Sequence, residues 1–131
     1  MANRKPLILD TCALLFLATG DRRLSAGARK ALSTSTVVSI CSITGFEIAL
    51  KVAQGKLELP LSPREWLAGM VDEYDLNVID LDLEICQQAA ELPSIHRDPC
   101  DRFIIAAAMR INAGVVTADP VFARYGVDVL G

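Results

Sequence analysis

The stretch Leu7-Ile8-Leu9-Asp10-Thr11 decides the fold, because a short apolar run ends abruptly on a carboxylate and a hydroxyl. Pro6 precedes the run, and successive large aliphatic residues are typical of a strand covered on both faces of a parallel sheet. Ligands of such sheets bind at the carboxyl ends of the strands, so Asp10 stands where a site would form. The alternative is that Asp10 or Thr11 caps a helix predicted over Cys12–Ala18, and for one isolated Asp that role is the more frequent.

Further short β-branched or aliphatic runs alternate with helical patterns along the rest of the chain. The predicted strands cover residues 37–40, 76–80, 115–117 and 127–130, and the longer predicted helices cover 43–53, 63–74, 83–93 and 99–113. Helix starts are marked by Ser42 and by Ser62 with Pro63 and Glu65, and Gly55 and Gly114 stand where helices end. With right-handed crossovers, this alternation predicts one domain over residues 1–131, a three-layer α/β/α sandwich with a central parallel sheet of four to five strands.

The composition narrows the class of protein. The chain has 131 residues, 52% hydrophobic but only 5% aromatic, which indicates one aliphatic core and excludes disorder. A net charge of −3 argues against a sequence-wide nucleic-acid footprint, so a polyanionic partner would need a local patch or a metal. Four scattered cysteines without C-x-x-C spacing predict reduced, buried thiols in a cytoplasmic protein. We read no membrane span and no signal peptide, because Asp10 interrupts the first apolar run.

Acidic residues recur where predicted strands end or helices begin. Each has an ordinary structural explanation: Asp98, Asp101 and Asp119 favour helix starts beside prolines, and Glu47 with Lys51 is a helical i, i+4 pair. Carboxylates crowded at one sheet edge, however, need a cation between them. Oxygen ligands without a His or Cys cluster select Mg²⁺ or Mn²⁺, which can activate water in phosphodiester hydrolysis. The predicted catalytic and metal-binding residues are Asp10, Glu47, Asp101 and Asp119, with Asp98 as an additional ligand and the hydroxyls of Thr11, Ser39 and Thr117 in support.

Four blocks of sequence in a fixed order resemble one family. They are LILDTCALLFL, then S-x-x-x-x-E-I-A-L-K followed by GKLELPLSPREWL, then LPSIHRDPCDRFIIAAA, and finally VTADPVFARYGV. Together they look like the PIN-domain ribonuclease toxins of the VapC type. The chain departs from that pattern at Gly45-Phe46, where relatives usually have Trp before the Glu, and at Cys100, commonly Phe.

The resemblance implies a metal-dependent endoribonuclease, a cognate antitoxin, a homodimer and an RNA substrate, with tRNA as one candidate. It places Asp10, Glu47, Asp101 and Asp119 on the family's acidic positions. A basic rim for RNA phosphates would come from Arg97, Arg102 and Lys51, with Arg22, Arg23 and Lys56 as further candidates. An apolar surface for the antitoxin is expected on the helices at Cys12–Ala18 and Ile43–Ala53. His96, the only histidine, is expected to be a loop or substrate-contact residue rather than a catalytic one.

Three other classes of protein compete with this interpretation, and the residues argue against the first two. A phosphoryl-transfer enzyme with an aspartyl nucleophile would place Asp at the end of the first strand, but the second acid expected two residues later is Cys12 here. A receiver-type signalling domain would have an acid pair after the first strand and a Lys after a late one, but Asp10 is followed by Thr11 and the late strand ends on Thr117-Ala118-Asp119. The third alternative is a metal-binding interaction module with little or no catalytic activity.

Overall fold

The computed structural model describes residues 5–131. In that range the strands are β1 (Leu7–Leu9), β2 (Val38–Cys41), β3 (Asn77–Ile79), β4 (Gly114–Val116) and β5 (Val129–Leu130). The helices are α1 (Thr11–Thr19), α2 (Ala26–Thr34), α3 (Ile43–Ala53), α4 (Pro63–Glu73), α5 (Leu83–Glu91) and α6 (Pro99–Arg110), and a 3₁₀ helix covers Pro120–Tyr125. Within residues 5–131, none of the helices could span a lipid bilayer.

The strands form one parallel sheet in the order β3-β2-β1-β4-β5. β1 lies in the middle, with Leu9 opposite Ile40 of β2 on one side and opposite Val116 of β4 on the other. The predicted parallel α/β/α sandwich is therefore confirmed, with five strands. The order of connection reverses between β1 and β4, and such a reversal opens a crevice at the carboxyl edge of the sheet. A receiver domain has the order 2-1-3-4-5 instead, so its topology is excluded.

Two aliphatic cores cover the two faces of the sheet. Ile8 points into the first core, together with Val115 and the fully buried middle of α6, Ile104–Ala108. Leu7 and Leu9 point to the opposite face, where α1, α2 and α4 supply much of the second core. The alternation of side chains along β1 thus explains why its whole run is apolar, and it fixes Asp10 at the rim between the layers.

Local signals set several helix boundaries. Ser62 accepts a hydrogen bond from the Glu65 backbone at 3.2 Å and donates to its carboxylate at 2.9 Å, so the predicted capping box at the start of α4 is present. Gly55 has the positive φ of 71° expected after α3.

Three expectations about individual residues were wrong. The helix predicted to end at Gly114 ends at Arg110, and Gly114 begins β4, where a side chain would lie 3.2 Å from Leu7. Ser42 precedes α3 but does not cap it, because its hydroxyl accepts from the Leu81 backbone at 3.1 Å. All four cysteines are free, but of the predicted buried thiols only Cys41 is buried: Cys12 in the first turn of α1 is exposed, and Cys86 and Cys100 are partly buried.

Candidate active site

Asp10 lies at the switch point, directly after β1. Its Oδ1 accepts from the Ala13 backbone at 2.7 Å and caps α1, while Oδ2 accepts from the Thr117 hydroxyl beyond β4. Asp10 can therefore cap α1 and also belong to a functional site, because the two roles use different oxygen atoms of its carboxylate. Burial of the carboxyl raises the pKa of Asp10, and the negative charges of Glu47 and Asp119 raise it further. The two hydrogen bonds act in the opposite direction and lower the pKa, but burial has the larger effect.

Glu47 enters the same region from α3. Its Oε1 accepts from the Thr11 hydroxyl at 2.7 Å, and its Oε2 lies 3.4 Å from Lys51 Nζ. Only 13% of the Glu47 side chain is exposed, so this is not the solvated surface pair that helical spacing alone suggests. Behind it, the fully buried hydroxyl of Thr44 lies 3.0 Å from that of Thr11. Sequence reasoning missed Thr44, although a hydroxyl one helical turn before an acid is a usable signal.

The third group of acids surrounds His96. Its Nε2 lies 3.0 Å from Asp101 Oδ2 and 2.9 Å from Asp119 Oδ2, and its Nδ1 accepts from the Asp98 backbone at 3.2 Å. Since Nδ1 accepts, the ring proton belongs on Nε2, which donates to the two carboxylates. The ring is held edge-on against Phe122, with centroids 5.8 Å apart. Sequence analysis expected a loop or substrate contact at His96 and did not anticipate this bridge between two acids.

Burial and neighbouring acids together shift the pKa of Asp101. Burial raises its pKa to about 7, with a further contribution from Asp98 and smaller ones from Glu47 and Asp10, while His96 opposes the change. Asp98 itself caps α6 by accepting from the Cys100 backbone at 2.9 Å, and Asp119 caps the 3₁₀ helix by accepting from the Val121 backbone at 2.9 Å. The predicted capping roles of these acids are thus present alongside their convergence.

All five predicted metal-binding residues open onto one cleft of about 380 Å³. The full lining is Asp10, Thr11, Cys12, Phe16, Arg23, Glu47, Lys51, Asp98, Asp101, Ala118 and Asp119. Carboxylates from four separate segments therefore face one space. The donors in this lining are hard oxygen atoms, and crowded carboxylates of this kind suit a hard divalent cation. Carboxylate oxygens of Asp101 and Asp119 lie within 4.8 Å of each other, close enough to contact a single ion, whereas His96 Nε2 carries the proton that it donates to them.

Three of the other predicted site residues are placed elsewhere. Ser39 is fully buried and does not line the cleft, because its hydroxyl accepts from Asn77 at 3.2 Å between β2 and β3. Arg97 is exposed outside the cleft lining. Arg102 is turned inward, and its guanidinium donates to the backbone carbonyls of Leu92 at 2.7 Å and Pro93 at 2.9 Å. Arg102 therefore anchors the loop that carries His96, and it does not line the cleft.

The sheet order and the convergence of carboxylates at its switch point define the class, an α/β/α domain with an acidic cleft at the carboxyl edge of a parallel sheet. Residues 7–128 match the PIN domain, and the chain belongs to the PIN-domain family. The sequence is 25% identical over 114 residues to Ribonuclease VapC22 of Mycobacterium tuberculosis, covering 86% of each chain.

Solved structures match the fold at lower sequence identity. The crystal structure of VapBC2 from Rickettsia felis bound to a promoter DNA fragment has a TM-score of 0.68 and 18% identity, covering 95% of this chain and 97% of that one. A toxin–antitoxin complex from Klebsiella pneumoniae has a TM-score of 0.66 and 20% identity, covering 95% and 96%. These structures share the fold of this chain, and the match to the PIN domain together with the similarity to Ribonuclease VapC22 confirms the predicted resemblance.

Proposed function

We propose that this protein, as one PIN domain over residues 1–131, is a metal-dependent endoribonuclease and the toxin of a VapC-type toxin–antitoxin pair. The observation that carries the proposal is the convergence of Asp10, Glu47, Asp101 and Asp119 from four segments on one cleft. The membership of the PIN-domain family and the likeness to a protein named as a ribonuclease support the same conclusion.

Asp10, Glu47, Asp101 and Asp119 would hold Mg²⁺ or Mn²⁺, with Asp98 contributing charge at the edge of the cleft. A bound divalent ion would neutralise the carboxylates, activate water as a Lewis acid and stabilise the departing oxygen of the RNA phosphodiester. Oxygen-rich donor sets favour Mg²⁺ and Mn²⁺ over softer ions. Such an ion also explains how the fold accommodates the mutual repulsion of these carboxylates.

Hydrogen bonds within the protein orient the side chains that would bind the metal. Thr117 orients Asp10, and Thr11 orients Glu47 with Thr44 behind it. His96 donates from Nε2 and keeps Asp101 and Asp119 close together. Bonds of this kind restrict the rotamers of metal-binding side chains, and their loss commonly lowers affinity or activity about 10- to 100-fold.

Basic residues at the rim of the cleft would make the first contacts with the RNA. Lys51 lines it, 3.4 Å from Glu47, and would be released toward RNA phosphate when a metal ion takes over that carboxylate. Arg97 is exposed and free to contact a more distant phosphate. We place the activity in the cytoplasm, where RNA, tRNA included, is accessible.

Turnover of single-stranded RNA with Mg²⁺ or Mn²⁺ tests the proposal. Changing one of the four acids to its amide should reduce cleavage by orders of magnitude and weaken calorimetric Mn²⁺ binding, because each change removes a ligand charge. The variants are Asp10→Asn, Glu47→Gln, Asp101→Asn and Asp119→Asn. The matched control is Asp72→Asn, an exposed acid on α4. Wild-type Mn²⁺ affinity in all four would refute the metal site, and metal binding without turnover would favour the interaction module.

The antitoxin would dock on apolar surface contributed by α1 and α3. Phe46 and Leu50 of α3 are 57% and 41% exposed, whereas on α1 Leu14 is fully buried and Leu15, Phe16 and Leu17 are partly accessible. Much of this surface therefore comes from α3. An amphipathic helix lying there could present an Arg to the carboxylates and exclude metal or substrate. We also propose a homodimer, on the strength of the family resemblance.

We expect the antitoxin to be encoded by a small upstream neighbour of this gene, as the family resemblance implies, and co-expression of the two genes tests the proposed inhibition. The wild-type neighbour should restore growth, and a variant with its inserted Arg changed to Glu should still form the complex but fail to restore growth, because its charge repels the carboxylates. Full rescue by that variant would show that inhibition does not use the acidic cleft.

A further inference from the structure

Arg23 and Phe16 form a second feature of the cleft, beside the carboxylates and distinct from them. Both residues line the cleft together with Asp10 and Asp119. The guanidinium carbon of Arg23 lies 4.4 Å from the centre of the Phe16 ring, so the cation covers one face of the aromatic ring. An exposed arginine is usually mobile, and this one is held in a defined place.

The turn after α1 fixes Arg23. Its Nε lies 3.1 Å from Asp21 Oδ1, and its Nη2 lies 2.7 Å from Asp21 Oδ2. Asp21 is itself fixed, because its backbone N–H donates to the Phe16 carbonyl at 3.0 Å and its carbonyl accepts from Arg29 at 2.8 Å. Gly20 allows this close return of the chain with a φ of 68°. Arg23 therefore loses less conformational entropy on binding a ligand than an unrestrained arginine would.

One edge of the guanidinium stays free. Asp21 uses Nε and Nη2, whereas within residues 5–131 no side chain or backbone group accepts from Nη1. The Arg23 side chain is 70% exposed, so the remaining donors are accessible from the cleft. Lys51 is the other basic residue in the cleft lining, and it lies against Glu47. A guanidinium edge with two parallel N–H groups matches the geometry of a phosphate group.

We propose that Arg23 is a substrate-positioning residue, which binds a backbone phosphate of single-stranded RNA beside the carboxylate cluster while Phe16 and Asp21 hold its orientation. This inference rests on the proposed ribonuclease function. Arg23 makes its polar contacts with Asp21 and none with the proposed metal ligands. It should therefore act on RNA binding and leave the chemical step unchanged.

The test compares Arg23→Gln with Arg64→Gln, which removes an equal charge from the exposed first turn of α4, outside the cleft. Both variants and the wild type are assayed for cleavage of a fluorophore–quencher single-stranded RNA of randomised sequence, in Mg²⁺ and over a range of KCl concentrations. Arg23→Gln should raise KM roughly tenfold with kcat unchanged, since one charge-assisted hydrogen-bonded contact is lost. The slope of log KM against log salt should fall by about 0.7, the loss of one single-strand phosphate contact.

Arg23→Lys separates phosphate binding from a purely structural role. Lysine keeps the charge without the planar edge, so it should retain the salt slope and recover only part of KM. A fall in kcat alone, or equal behaviour of Arg23→Gln and Arg64→Gln, would overturn the assignment of Arg23 while leaving the ribonuclease standing. Absence of metal-dependent turnover in the wild type would instead overturn the proposed function, and the assignment of Arg23 with it.

Discussion

Asp101 is expected to make the metal-free protein less stable as the pH rises. Its pKa is raised to about 7 from an ordinary 3.8, so the folded protein resists the ionisation that the unfolded chain undergoes freely. We predict that Asp101→Asn, which keeps an oxygen acceptor for His96 but cannot ionise, stabilises the metal-free protein at about pH 8 and has little effect at about pH 4.

The sign and magnitude follow from linkage. Because the folded pKa lies above the unfolded one, the folded state holds a proton that the unfolded state releases, and stability falls as pH rises from the unfolded to the folded pKa. The interval from 3.8 to about 7 corresponds to roughly 4 kcal/mol. Asp101 lines the open cleft and interacts with several neighbouring charges, so solvent screening makes this figure an upper bound. The advantage of the Asn variant should therefore grow by up to that amount between about pH 4 and about pH 8.

Urea unfolding in excess chelator, at several pH values, measures this difference. Asp72→Asn on the exposed face of α4 is the control and should track the wild type throughout. A constant difference between Asp101→Asn and wild type across the pH range, or one that shrinks as pH rises, would refute the claim that burial and neighbouring acids hold the Asp101 pKa high.

Three further predictions concern metal binding and the contacts of Arg102 and Thr11. Millimolar Mg²⁺ or Mn²⁺ should raise the melting temperature of the wild type by mass action on the folded state, and an equal shift with NaCl of the same ionic strength would count against a specific site. Arg102→Ala should cost roughly 2 kcal/mol in urea unfolding because its carbonyl acceptors lose their donor, whereas Arg97→Ala should be neutral. Thr11→Val should weaken Mn²⁺ binding about tenfold by releasing Glu47, and Thr11→Ser should restore it; equal affinities in the two variants would remove Thr11 from the positioning role.

The sequence predicted the local features of the structure because these depend on residues that lie close together along the chain. The β1 run, the alternation of strands and helices, and the capping box at Ser62 are set by residues within a few positions of one another. The same holds for the acids at strand ends: once the sheet is parallel, carboxyl ends share an edge, so the common location of Asp10 and Asp119 follows from topology. Glu47 and Asp101 belonged to the same pattern of acids near helix starts, and the family resemblance placed all four on matching positions.

Tertiary packing decided which of these residues touch and which groups support them. Asp10 and Thr117 are 107 positions apart, and no local pattern states that one hydroxyl serves that carboxylate. His96 bridges two acids because α6 and the 3₁₀ helix approach there, and Arg102 turns inward because the carbonyls of the loop need donors. Arg23 reaches the cleft only through the turn after α1. Periodicity shows that a helix has an apolar face, but the direction of that face and the partners across a cleft depend on how the elements pack.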